Sequence, residues 1–255
     1  LLLIFCAIFA DVLAPYDFAK QDLMHMFETP SAEHWLGTDE FGRDILSRLI
    51  FGARVSLQVG FIAVGIALVV GGMLGATAGY YGGWIDNGIM RVMDVLLSVP
   101  QTLLAIAIIA ALGPSLMNLM IAVGVSAVPT YARIVRGSVL SIRGMEFVEA
   151  ARSVGSSDLR IILKHIIPNS MAPIIVQSTL GVASAILNAA GLSFIGLGIQ
   201  PPNPEWGAML SGGRQYIRDS PHLTLYPGLA IMFTILALNF LGDGLRDALD
   251  PKLKR

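Results

Sequence analysis

Four long intervals of the chain carry no formal charge: 31 positions between Arg54 and Asp86, 38 between Asp94 and Arg133, 40 between Lys164 and Glu205, and 23 between Asp219 and Asp243. A bilayer core of roughly 30 Å takes about 20 helical residues, and a charge at its centre is expensive, so these intervals predict membrane helices. The first holds one helix over residues 57–79, ending in the Gly/Tyr-rich run 79–83. The second would be about 57 Å long as one helix, too long for a single crossing. Gly113 and Pro114 break it into a hairpin of two. The third spans over residues 171–197, with Pro201-Pro202 as its outer stop, and the last over residues 226–241. Residues 1–10, LLLIFCAIFA, are apolar but short, and lack the basic flank and cleavage pattern of a signal peptide. They are expected to be the outer half of a first membrane helix that begins upstream. The expected fold class is all-α, a polytopic bundle of six membrane helices with the first one truncated.

Composition agrees: 55% of residues are hydrophobic, 14% are charged, and the mean hydropathy is +0.69. A net charge of -1 without a Lys/Arg run argues against a nucleic-acid partner. Cys6 is alone, and His25, His34, His165 and His222 lack metal-ligand spacing, so neither a disulfide framework nor a zinc site is expected. No lysine follows a glycine, which excludes the phosphate loop G-x-x-x-x-G-K-[ST]. If the first helix runs outward, 11 of the basic residues fall on inner segments and 6 on outer ones. That bias places both termini on the cytoplasmic side.

Within the spans, Gly71, Gly75 and Gly79 recur every fourth residue, a stripe along which another helix can approach closely. Gln58, Gln177, Asn188 and Asn239 are the main amide side chains; interhelical bonding suits each of them, and they are also the candidates for the wall of a polar path. No acidic, basic or histidine side chain sits at mid-membrane, which weighs against an ion-coupled carrier. A membrane-embedded enzyme would expose a nucleophile with its base, or a metal cluster, and neither is present.

The longest inner segment, from Arg133 to Asn169 with its loop at residues 137–169, contains GMEFVEAARSVGSSDLRIILKHIIPN. Residues 144–154 have helical spacing, Gly155 suits a left-handed stop, and Ser156 or Ser157 can cap a second helix with Asp158 in its first turn. In that second helix Leu159, Ile162, Leu163 and Ile166 form an apolar face, and Pro168 ends it. The first helix offers Met145, Phe147 and Val148 beside the small Ala150 and Ala151, a profile that can enter a groove on a partner with Glu149 facing a basic group.

Glu149-Ala150-Ala151, Gly155 and Pro168 resemble the EAA loop of ABC-importer membrane subunits, E-A-A-x3-G-x9-I-x-L-P, with His165 in place of Ile and Ile167 in place of Leu. The likeness extends through HWLGTDEFGRDILSRLIFGARVSL, GYYGGWIDNGIMRVMDVLLSVP, GLSFIGLGIQPPNPEWGAML and GDGLRDALDPK, which look like the second permease of dipeptide and oligopeptide importers. Similar permeases serve glutathione, nickel and D,D-dipeptides. The resemblance implies a type I importer permease fold in a prokaryotic cytoplasmic membrane and no catalytic site in this chain. It implies as partners a homologous permease subunit, two ATPase subunits that use ATP and Mg, and an extracytoplasmic substrate-binding protein. On that reading Glu149, Ala150, Ala151, Gly155 and Pro168 belong to the joint with the ATPase.

Residues 11–54 form an outer segment in which Ile45, Leu46, Leu49, Ile50 and Ala53 share a face, expected as an interfacial helix with snorkelling arginines. A second outer segment, residues 200–227, carries Trp206, Tyr216 and Tyr226 at the depth of an interfacial belt. Its Arg214 and Arg218 are candidate contacts for the binding protein. The chain thus divides into residues 1–10, the outer segment 11–54, a membrane core 55–245 and a cytoplasmic tail 246–255.

Overall fold

A computed structural model describes residues 2–249, in which helices are joined by loops and one isolated bridge pairs Thr38 with Asp44. Residue 1 and the end of the expected tail, residues 250–255, lie outside the described residues. Four helices are long and apolar enough to cross a membrane, and a bent pair makes a fifth span if counted as one. The described part of the first expected span is the short α1 (Leu2–Ile8), followed by α2 (Ala10–Leu13). Arg54 lies beside α1, its guanidinium donating to the Ala7 and Ile8 carbonyls at 2.7 and 3.1 Å and pairing with Asp11 at 2.8 Å.

The longest helix, α3 (Ile45–Tyr81), has 37 residues and is about 55 Å long. Residues expected as a separate interfacial helix are its opening turns, because nothing between residues 45 and 57 breaks the ladder: Asp44 caps the start, accepting from the Ser47 amide at 2.7 Å, and Gly52 makes room for Trp206. The arginines at this end do not reach for head groups. Arg43 and Arg48 are 4% and 6% exposed and converge on Asp39, whose Oδ2 lies 2.7 Å from one Nε and 3.3 Å from the other.

The expected inner segment around Arg91 is also helical. Helices α4 (Gly83–Leu97) and α5 (Gln101–Leu112) meet at 87° across residues 98–100. Pro100, which has no N–H to continue the ladder, starts the new direction. Gly113, with φ +87°, ends α5, and Asn118 ties the hairpin by donating to the Leu112 and Gly113 carbonyls, both at 2.9 Å. Helix α6 (Leu116–Ile142) continues past Arg133 and Arg136, which the sequence pattern assigns to a loop. They are held within helical structure by Asp94 at 2.6 Å and by both oxygens of Asp86 at 2.5 and 2.6 Å. After the inner loop come α10 (Met171–Phe194), α11 (Trp206–Gly213) and α12 (His222–Leu249).

The glycine stripe packs α3 onto α6, the most extensive helix contact among the described residues. A Cβ on Gly71 would stand 2.6 Å from the Val128 carbonyl oxygen, and one on Gly75 would run into the Ala132 carbonyl. Leucine at Gly75 should force the two backbones apart and cost about 3 kcal/mol, read as a lower thermal midpoint of the purified complex. Leucine at the neighbouring Gly72, where a Cβ meets nothing within 4 Å, should leave that midpoint unchanged. Replacing Asp39 with Asn should also lower that midpoint, through a stability loss of roughly 3–5 kcal/mol, since two buried guanidinium groups lose their shared carboxylate.

Candidate functional site: coupling loop and membrane cavity

The inner loop is docked onto the bundle. Helix α7 (Glu146–Ser153) buries Val148 and Ala151 against Tyr80 of α3, Val135, Val139 and Ile142 of α6, and Ile174 of α10. Its other face leaves Phe147, Glu149, Ala150 and Arg152 exposed. The loop's EAA residues therefore divide: Glu149 and Ala150 face outward, whereas Ala151 anchors the helix to its own subunit. Gly155 has φ +79°, the left-handed turn that lets the chain reverse, and its surroundings are open.

The second leg departs from a simple amphipathic helix. A short α8 (Asp158–Ile161) passes into a wider π turn (Ile162–Ile166) and then α9 (Ile167–Asn169), so Pro168 does not end the helix. Lacking an N–H, Pro168 leaves the Lys164 carbonyl without its i+4 donor, and a π turn on its N-terminal side accommodates the gap. The wider turn also shifts the buried face. Ile161 and Ile166, five residues apart, are both 0% exposed, whereas Leu159 and Leu163 of the expected face are 66% and 57% exposed. His165, the main departure from the EAA pattern, is half-buried, and its carbonyl accepts from the Asn169 amide at 2.6 Å. Ser157 stands at the N-cap of α8 without a side-chain cap bond, and Asp158 turns elsewhere.

Asp158 accepts from the Tyr80 hydroxyl at 2.6 Å, and the Arg152 guanidinium lies 5.7 Å from the Tyr80 ring centroid. Arg143, just before α7, donates to the Gly79 carbonyl at 2.8 Å. Three parts of the loop thus grip the last turn of α3. Sequence spacing did not single out these residues: GYYGG reads as a helix end, and nothing in the pattern pairs Tyr80 with an acid 78 positions away.

A second feature lies between α3, α5, α6 and α10. A cavity of about 230 Å³ is lined by Gln101, Thr130, Tyr131, Gln177 and Ser184 together with apolar neighbours. Of the four amides expected on a polar wall, only Gln177 borders it. Asn188 is half-buried elsewhere, and Gln58 and Asn239 are exposed on the outside of the chain. The missed lining groups are hydroxyls and the first residue of α5, whose position depends on the 87° bend.

On the outer face Arg214 and Arg218 are both exposed, Arg214 lying 5.6 Å from the Phe194 ring centroid. Trp206, expected in an interfacial belt, is 1% exposed and donates to the Leu49 carbonyl at 3.1 Å. Glu205 before it is equally buried, caps α11 through the Gly207 and Ala208 amides at 2.9 Å each, and has its carboxyl pushed up by burial.

Helices long and apolar enough to cross a membrane, packed around a cavity with polar lining groups and with a loop docked at one end, have the form of a membrane subunit of a transporter. Residues 69–255 match the family described as binding-protein-dependent transport system inner membrane component, and the chain belongs to that family. It is 55% identical over 251 residues to the dipeptide transport system permease protein DppC of Alkalihalophilus pseudofirmus, covering 98% of this chain and 83% of that protein. It is 48% identical to the glutathione transport system permease protein GsiD of Pectobacterium atrosepticum, covering 100% of this chain and 85% of the relative. The inward-facing MetNI methionine ABC transporter gives a TM-score of 0.64 at 19% identity, with 81% of this chain and 98% of that one covered. An amino acid ABC transporter crystallised with histidines gives 0.60 at 16%, covering 80% and 94%. These likenesses show the fold of an ABC importer permease.

Tyr80→Phe removes one hydroxyl that holds the loop to α3 and nothing from the core. Amide hydrogen exchange across residues 146–161 should become several-fold faster in that variant, while α6 and α10 keep the wild-type rate.

Proposed function

We propose that the chain forms half of the translocation path of an ATP-driven importer for dipeptides or short oligopeptides. On this reading it pairs with a homologous permease subunit, two ATPase subunits bind beneath and use ATP and Mg, and an extracytoplasmic binding protein delivers the cargo. The chain itself carries no catalytic group, and its C-terminus is cytoplasmic. The observation that carries the reading is the split character of α7, with Val148 and Ala151 sunk into the bundle and Glu149 and Ala150 presented outward.

Physically, closure of the ATPase dimer would push on the outward face of α7, and the anchored face would pass the displacement to α3, α6 and α10. Gly155 sets the angle between the loop's two legs, and Pro168 sets the π turn through which the second leg joins α10. The cavity wall of amides and hydroxyls is uncharged, which suits peptides whose side chains differ in charge. Arg214 and Arg218, both exposed, would meet the binding protein on this reading.

Glutathione as cargo is the second reading, favoured by relatives at 48% and 50% identity over the whole chain. Uptake by reconstituted vesicles of labelled dipeptide, glutathione and nickel separates the alternatives; glutathione or nickel uptake with no dipeptide uptake would overturn the first. For the joint, Gly155→Val should strain a backbone at φ +79° and reduce transport about tenfold or more, with the ATPase subunits still bound. Wild-type transport by that variant would remove Gly155 from the mechanism.

A further inference from the structure

One turn of the outer segment is both rigid and bare. Leu23, Met24 and Met26 are 61%, 89% and 45% exposed, yet the backbone that carries them is tied down on both sides. The Asp22 amide donates to the Phe41 carbonyl at 3.1 Å and the Phe27 amide to the Asp39 carbonyl at 3.2 Å, while the Thr38 hydroxyl donates to the His25 carbonyl. The Asp22 carboxylate holds the Met24 amide at 3.1 Å. Phe27 has φ +58°, a conformation that a bulky side chain rarely adopts and that costs of order 1–3 kcal/mol. An anchored, strained turn that leaves three large apolar side chains in solvent is a binding surface in need of a partner.

Lipid does not cover it. Val70 lies midway along the charge-free stretch, and from there to Ile45 is 25 residues of α3, roughly 37 Å. Helix α3 therefore starts about 20 Å beyond the edge of a 30 Å core. The turn packs on the loop 37–43 at that far end, outside the reach of acyl chains. Its neighbourhood is mainly acidic, with Asp17, Asp22 and Glu33 exposed against a single exposed lysine, Lys20, and Glu28 half-buried against His25, whose ring lies 2.5 Å away. The Phe27 ring meets Tyr216 at 4.7 Å, which joins this turn to the one bearing Arg214 and Arg218.

We infer that residues 22–27 are a docking surface for the extracytoplasmic binding protein, which meets them with an apolar patch and sets basic groups against Asp17, Asp22 and Glu33. This rests on the importer reading above and extends its two arginines to a continuous face. Methionine suits the task, because its flexible thioether moulds to more than one surface as the binding protein opens and closes. The anchored backbone means that little conformational freedom is lost on contact.

The test uses the complete importer in nanodiscs and the purified, peptide-loaded binding protein. Met24→Glu should weaken binding by tenfold or more, and rising salt should weaken the wild-type association further. Since Met24 is almost wholly exposed, normal assembly on gel filtration checks that the variant folds. A photocrosslinking residue at position 24 should capture the binding protein. An unchanged Kd in Met24→Glu, or a crosslink to lipid or to the second permease, overturns the inference and leaves the importer reading standing. Failure of the wild-type complex to bind any such protein overturns both.

Discussion

Everything else in the fold depends on how closely α3 and α6 approach. Without side chains at Gly71, Gly75 and Gly79, the two backbones come near enough for carbonyls of one helix to lie against α-carbons of the other. In a bilayer no hydrophobic gain drives one helix against another, so this kind of packing supplies the cohesion. Gly124 answers from α6, where an added Cβ would stand 2.9 Å from the Ala63 carbonyl oxygen. The paired helices form the frame on which α10, the short α5 and the inner loop are mounted.

At its two ends α3 is held by opposite chemistry. Outside, charges removed from water compensate one another around Asp39, and Glu205 and Trp206 close the neighbouring loop onto Leu49 and Gly52. Inside, Tyr80, Arg143, Arg152 and Asp158 connect the last turn to the loop with hydrogen bonds that water can replace at small cost. The contacts at the first end are buried ion pairs, and those at the second are hydrogen bonds within reach of water. That asymmetry is what a lever needs if its outer support is fixed and its inner end is driven.

Much of this was legible in the sequence because charge is so costly in a membrane. The uncharged intervals located α3, α6, α10 and α12, and Gly113 and Gly155 marked reversals that require positive φ. The same rule misled where charges are compensated. Arg133 and Arg136 look like loop residues until Asp94 and Asp86 are placed beside them, and Arg43 and Arg48 look like head-group ligands until Asp39 is. Of the buried pair, Ile166 was expected but Ile161 was not, and Leu159 and Leu163 were expected in its place, because a period of 3.6 was assumed where Pro168 is preceded by a wider turn. On the cavity wall only Gln177 was singled out, since Gln101 reaches it through a bend that no periodicity reports.

The elbow between α4 and α5 also bears on which flank of the molecule can face lipid. Residues 98–100 are exposed on this chain and lead into Gln101, which shares the cavity wall with Thr130, about one helical turn outward of Arg133 along α6. Broken backbone at that depth has polar groups that hydrocarbon cannot satisfy, so it persists only against protein or along a water-filled space. The flank bearing the elbow is therefore turned away from lipid. Gln101, at the start of the new helix, carries that bend onto the cavity wall, so that one residue ends a change of helix direction and begins a polar surface.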